Sequence, residues 1–353
     1  MQPHLPYLIA PLRGGAVWLA LAVCSFSAWP EQWAATLDER FAAYPVLAWP
    51  VFWLMLNFAI LLIVLPFHLL EDHWSRATDR EEEHPDATAY WIKAFAGELL
   101  LSTFFGMLIS FTWWWAPELG WVALCAAWIA YHAVAPLLHE AAHLRQAEQH
   151  LTPEPERLAE IQPRLASTGL AIDALASFDD DELDHPPPHD VLLDRRGAST
   201  RLVVPKIWVA QWSPDEIVAV TLHHRLMRRP AIVWSESLLQ GSGVVLGLGG
   251  FVFASRFGCP ALTPPLHRME LIPPLLLWLT TMMGLVRVAA AALSRYLVCA
   301  ADDRVTQQMG SPDGLITSLQ RAAENDPAEP PRWAVTLLFH APTPRQRIAR
   351  LSP

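Results

Sequence analysis

The chain is poor in cysteine and in charge, and it carries no excess of basic residues. Its four cysteines, Cys24, Cys125, Cys259 and Cys299, are widely scattered and form no CxxC pair. That spacing suggests neither a disulfide framework nor a thiolate metal site. Charged residues make up 17% of the sequence and the formal net charge is -10, which argues against a nucleic-acid-binding role. No internal repeat is detectable, which argues against a solenoid or propeller.

What is abundant is apolar. Hydrophobic residues reach 53%, with 17 tryptophans, too many for ordinary soluble packing. Long apolar runs occupy Val46 to Leu70, Ala94 to Ala116, Leu119 to Leu138, Ala231 to Ser255 and Leu271 to Leu293. Each approaches the roughly 20 residues a helix needs to cross a bilayer. A sixth run, Ala16 to Trp29, is short and follows Arg13, so a cleaved signal peptide is its alternative reading; Trp29, Pro30 and Glu31 make a poor cleavage site. Basic residues concentrate in 71 to 93, in 139 to 229 and after Leu293. The positive-inside rule then places both termini and the large loop in the cytoplasm of a multi-pass inner-membrane protein.

Within the large loop, "LTPEPERLAEIQPRLA" reads as a polar helix and "SFDDDELDHPPPHD" as an acidic, proline-rich connector. "DVLLDRR" and "RLVVPKIWVAQ", split by Gly197, predict a small hairpin. The next segment, "WSPDEIVAVTLHHRLMRRP", carries a complete helix start. Ser213 is a good N-cap, Pro214 suits the first helical position, and Glu216 completes a capping box. Ile217, Val220 and Met227 supply the expected apolar side.

From here the sequence resembles the integral-membrane zinc metalloproteases that include the CAAX prenyl protease and the heat-shock protease HtpX. "PDEIVAVTLHHRLM" is similar to their HExxH helix up to His223, two spans follow, "SRYLVCAADDR" resembles an SRxxExxAD segment, and "HAPTPRQRIARL" resembles a terminal HPxxxxRIxxL element. The resemblance covers about Pro136 to Leu351. It implies an α-helical polytopic membrane protein of about six spans, with a cytoplasmic zincin-like domain that is mostly α with a little β. Its chemistry departs from the pattern. His223 keeps the first ligand position, His224 replaces the general-base glutamate, Met227 replaces the second histidine, and Val298 stands where a ligand glutamate is expected. Zinc takes imidazole, thiolate and carboxylate, whereas a thioether is a poor ligand and an isopropyl group is none. The supporting positions Arg295, Asp302 and Arg347 are kept, and the terminal histidine aligns with Ala341, beside His340.

A complete HExxH does occur elsewhere, as His139, Glu140, Ala141, Ala142 and His143. On a helix both imidazoles share a side with Glu140 next to them, and His132 and His150 extend the stripe if the helix runs that far. The third ligand has no clear source. Glu148, His150, Glu154, Glu156 and Glu160 lie so close in sequence that only a turn or a second helix brings one back, and the position ten after His139 is Gln149.

These readings predict four spans in 1–138, a cytoplasmic domain in 139–230, two spans in 231–293 and a cytoplasmic C-terminal part in 294–353. The expected function is that of a catalytically inactive pseudoprotease that holds no zinc and binds a peptide or partner protein within membrane lipid. One alternative is an active zinc endopeptidase working through His139, Glu140 and His143 or through His223 and His224. The other is a scaffold or transporter that uses Glu98, Glu236 and Arg287, polar residues inside the spans.

Overall fold

The computed structural model describes residues 5–78, 87–115, 120–179, 191–196, 199–257, 269–325 and 330–352. In chain order the first helices are α1 (Leu5–Ser25), α2 (Trp29–Arg40), α3 (Ala48–Thr78), α4 (Ala87–Trp115) and α5 (Gly120–Ala147). Then come β1 (Thr152–Pro153), α6 (Pro155–Ser167), β2 (Ala174–Phe178), β3 (Leu192–Arg196), β4 (Ser199–Pro205), α7 (Lys206–Gln211) and α8 (Pro214–Met227). The remainder is α9 (Pro230–Val244), α10 (Gly250–Phe257), α11 (Ile272–Met309), α12 (Asp313–Asn325), α13 (Arg332–Leu338) and α14 (Pro344–Leu351). The chain divides into two compact units, residues 1–129 with 240–287 and residues 130–239 with 288–353.

Among the described residues, five helical stretches are long and apolar enough to cross a membrane: Leu8–Ser25, Ala48–Leu70, Phe95–Thr112, Pro230–Ala254 and Met269–Met309. The run expected at Leu119 to Leu138 falls on α5, whose apolar part, Gly120–Ala135, is shorter. The first run is longer than its sequence suggested, because α1 begins at Leu5 and Trp29 belongs to α2.

In the first unit the spans pack through close approaches and internal hydrogen bonds, as backbone and polar groups in a water-free layer must. Trp53 of α3 donates to Ser110 Oγ of α4 at 2.8 Å, and Asn57 donates to Thr103 at 3.4 Å. The Trp53 ring lies so near Gly106 that a β-carbon there would come within 2.3 Å of it. Between α9 and α10 one π-helical turn, Val245–Gly249, interrupts the span. Trp278 donates its indole N–H to Leu246 O at 3.1 Å, supplying a partner to a carbonyl in the widened turn. The glycine-rich run "GSGVVLGLGG" therefore serves packing; a β-carbon on Gly247 would meet Leu279 at 2.4 Å.

The second unit is built around α8. Ile217, Val218, Ala219, Leu222 and Leu226 are buried against Ile161 and Leu165 of α6, Leu175 of β2, Leu202 and Val204 of β4, Ala301 and Val305 of α11, and Leu315 and Leu319 of α12. The helix is thus enclosed on more sides than its expected apolar face, and Val220 and Met227 are only partly buried at its margin. The sheet order is β1-β2-β4-β3. The predicted hairpin is β3 with β4, antiparallel, with Leu193 opposite Leu202. Two features correct the sequence reading. β2 lies parallel to β4, which makes a four-stranded sheet, and "KIWVAQ" is helix rather than strand. The ladder ends where Phe178 pairs Pro205, whose extended backbone (φ -58°, ψ 140°) then starts α7. The polar helix expected after Leu151 is α6; it buries Ile161 and Leu165 on one side. α11 ends at Gly310, where φ is +74°, a left-handed position that glycine occupies without strain.

Candidate functional site

The entry to α8 is fixed locally and then locked from a distance. Ser213 Oγ accepts from the Glu216 N–H at 3.3 Å, and Glu216 accepts from the Ser213 N–H at 2.6 Å, which closes the capping box. Glu216 is only 2% exposed, and Arg321 of α12 donates Nε to its other oxygen at 2.7 Å while reaching Gln211 O at 3.1 Å. Burial pushes the Glu216 carboxyl up, but the Ser213 and Arg321 hydrogen bonds outweigh it, and the group ends below its ordinary value. Arg321 carries no local signal in the sequence, because its partner lies 105 residues away.

Two turns further along α8, His223 stands beside α11, its Nε2 3.3 Å from Asp302 Oδ1. Asp302 is fully buried and is gripped by Arg347 of α14, with Nε to Oδ2 at 2.9 Å and Nη2 to Oδ1 at 2.6 Å. This two-pronged contact is the strong form of a carboxylate–guanidinium pair. Arg350, one turn on, pairs with Asp303 and donates to Cys299 O at 2.9 Å. Arg295 acts on backbone instead, donating to Val335 O at 3.0 Å and Phe339 O at 2.8 Å and so satisfying carbonyls at the end of α13. Of the three supporting residues, then, Asp302 and Arg347 are joined directly and Arg295 fastens a neighbouring helix. His224 is buried, 5% exposed.

Around His223 the donor set does not suit a zinc ion. Met227, one turn beyond it, packs against the apolar core, and Val298, one turn before Asp302 on α11, is a buried aliphatic side chain. Both oxygens of Asp302 already accept from Arg347. Among the described residues no group of three His, Cys, Asp or Glu side chains is placed to hold a metal. Ala341 and His340, near the terminal element, are not buried.

No family model matches the sequence, and no curated protein does. The crystal structure of S. mikatae Ste24p does match in shape, with a TM-score of 0.57 over 98% of this chain and 99% of that one, at 15% identity. The fold is similar to that of Ste24p. This Ste24p-like fold is a polytopic membrane architecture with a small sheet, the class the sequence predicts.

Within the Ste24p-like fold the intact HEAAH occupies the last turns of α5, whose backbone is helical through Ala147. His139 and His143 are therefore one turn apart on one helix; the side chains of His139, Glu140 and His143 lie outside the described residues. The longer histidine stripe does not hold its phase, because Glu148–His150 is a 3-10 turn. Two of the candidate third ligands have other partners: Glu154 accepts from Ser177 Oγ at 2.7 Å, and Glu160 pairs with Arg157. Glu98 likewise has its side chain outside the described residues, and Arg287 lies near the end of the first unit on α11.

Proposed function

We propose that this chain is a membrane protein that uses the metallopeptidase fold without hydrolysis, binding a peptide or a partner protein. The observation that carries the reading is the surroundings of His223: a carboxylate committed to Arg347, with a thioether and an isopropyl group one turn away on the two helices. One imidazole with neither a second ligand nor a carboxylate base at hand cannot retain zinc and polarise its water. The likeness to Ste24p, a CAAX prenyl protease zinc metallopeptidase, supports the fold on which this loss would have occurred. β3 borders the sheet, where an extended peptide could pair by strand addition. The positive-inside pattern supports a cytoplasmic position for this region in an inner membrane.

Metal analysis of the purified full chain, run beside a peptide-hydrolysis assay, tests the proposal. The expected result is zinc well below one per chain and no cleavage. About one zinc per chain that disappears in the His139→Ala, His143→Ala double variant would move the activity to α5. Zinc that disappears with His223→Ala would restore the α8 site as a working centre.

A further inference from the structure

The exposed surface of α11 changes chemistry along its length. Val288, Ala289, Ala292 and Tyr296 are exposed and fall on one helical face, and Tyr296 is 69% exposed. Beyond Tyr296 the next exposed residues of the helix are Asp303, Arg304, Gln307 and Gln308. An apolar outward stripe that ends in a tyrosine and gives way to charge is what a helix shows as it leaves hydrocarbon through the headgroup layer. Another span in this unit repeats the pattern. Arg228 and Arg229 stand just before α9, which then presents Trp234 and Leu238, one turn apart, to the outside.

The short helix α13 is held at that same level. Arg295, the neighbour of Tyr296, donates to Val335 O and Phe339 O, so the last turn of α13 is tied to α11 at the place where its surface turns polar. α13 has one side packed inward, with Ala334 fully buried and Val335 3% exposed. Its outer side presents Trp333, 39% exposed, and Leu337, 43% exposed, four residues apart on one face. We infer that α13 is an interfacial anchor whose Trp333 and Leu337 side chains enter the lipid headgroup layer beside Tyr296. A tryptophan suits this layer because its ring is apolar and its N–H can bond to headgroups or water. The occupant of this face is the membrane that already receives the α11 stripe, not a protein partner.

The test uses the full chain reconstituted in phosphatidylcholine vesicles, with Cys24, Cys125, Cys259 and Cys299 replaced by Ala. An environment-sensitive fluorophore is attached at Trp333→Cys or Leu337→Cys. Gln320→Cys on α12 serves as the aqueous reference and Val288→Cys as the lipid reference. The expected result is severalfold stronger quenching by headgroup-spin-labelled lipid at 333 and 337 than at 320, with severalfold weaker quenching by aqueous iodide. Iodide quenching equal to that at 320, with no lipid quenching, would overturn the inference. So would protection from both quenchers, because a protein surface would then cover the face. A second measurement keeps all four native cysteines: a charged, membrane-impermeant thiol reagent should modify Gln320→Cys and react severalfold more slowly with Trp333→Cys. Equal rates there count against the anchor even if the cysteine-free chain fails to fold.

Discussion

Two places in this chain compete for the same chemistry, and they differ in opposite ways. At the end of α5 the letters of a zinc site are complete, His139, Glu140 and His143 on a continuous helix, yet nearby Glu154 and Glu160 are engaged elsewhere. On α8 His223 is followed four residues on by Met227 rather than a second histidine, yet the surroundings are elaborate: a capping box, a buried carboxylate, a two-pronged arginine and a helix enclosed by sheet and helices. A motif fixes which atoms are available, while the fold decides what those atoms face. The two can part company, and a metal needs both.

The largest expected effect comes from returning the missing letters to α8. In the His224→Glu, Met227→His, Val298→Glu variant, bound zinc should rise from a trace towards about one per chain, read by metal analysis. If zinc stays at a trace in a folded variant, the surroundings of His223 are not those of a metal site, and the contrast between the two regions collapses.

Next is the cost of breaking the buried pair. Asp302→Ala leaves the Arg347 guanidinium without its carboxylate and should lower stability by about 3–5 kcal/mol. Detergent-solubilised protein followed by thermal or denaturant unfolding reports it. The double variant Asp302→Ala, Arg347→Met should recover a good part of that loss, since the unpaired charge is then gone.

A smaller loss, about 1–3 kcal/mol, is expected for Glu216→Gln, which keeps the shape and removes the charge that Arg321 faces. The same group sets a pH dependence. The folded-state value lies below the ordinary 4.5, so its contribution is fully present above about pH 4.5 and is lost as pH falls through the depressed folded value. The wild type should therefore lose stability more steeply below pH 4.5 than Glu216→Gln does. Parallel curves would mean that Glu216 is not held as an anion. Ser213→Ala should cost about 1 kcal/mol, the usual worth of a helix cap. Smallest of all, His139→Ala with His143→Ala should shift stability within the range of surface changes, about 0.5 kcal/mol. A loss several times larger would show that α5 is more than a helix end with histidines on it.

How much of this was legible in the sequence depended on distance along the chain. The capping box of Ser213 and Glu216 spans three residues, and the paired strands β3 and β4 lie close together in sequence, so local chemistry specified both. The apolar runs announced the spans, because hydrocarbon imposes length and composition together. The segment "KIWVAQ" has Ile and Val that favour a strand; the strand instead ends at Pro205, paired with Phe178, and Pro205 caps the helix that follows. β2 itself gave little warning, since "ALASF" shows no clean alternation and its pairing with β4 requires a crossover. Partners such as Arg321 to Glu216, 105 residues apart, or Arg347 to Asp302, 45 apart, are set by packing and have no local signature. The order of the three partial motifs nevertheless pointed to the fold, because order reports topology whichever residues fill the individual positions.

The π-helical turn at Val245–Gly249 holds one more residue than an α-helical turn would. Deleting a single residue from this span would not simply shorten it. The turn would close to ordinary helix, about four residues at roughly 100 degrees each in place of five at roughly 80, so Gly250 to Phe257 would keep nearly their present facing. Trp278 would then face an α-helical carbonyl already bonded along its own helix. The widened turn thus acts as slack in the span, taking up one residue without turning the faces that follow it.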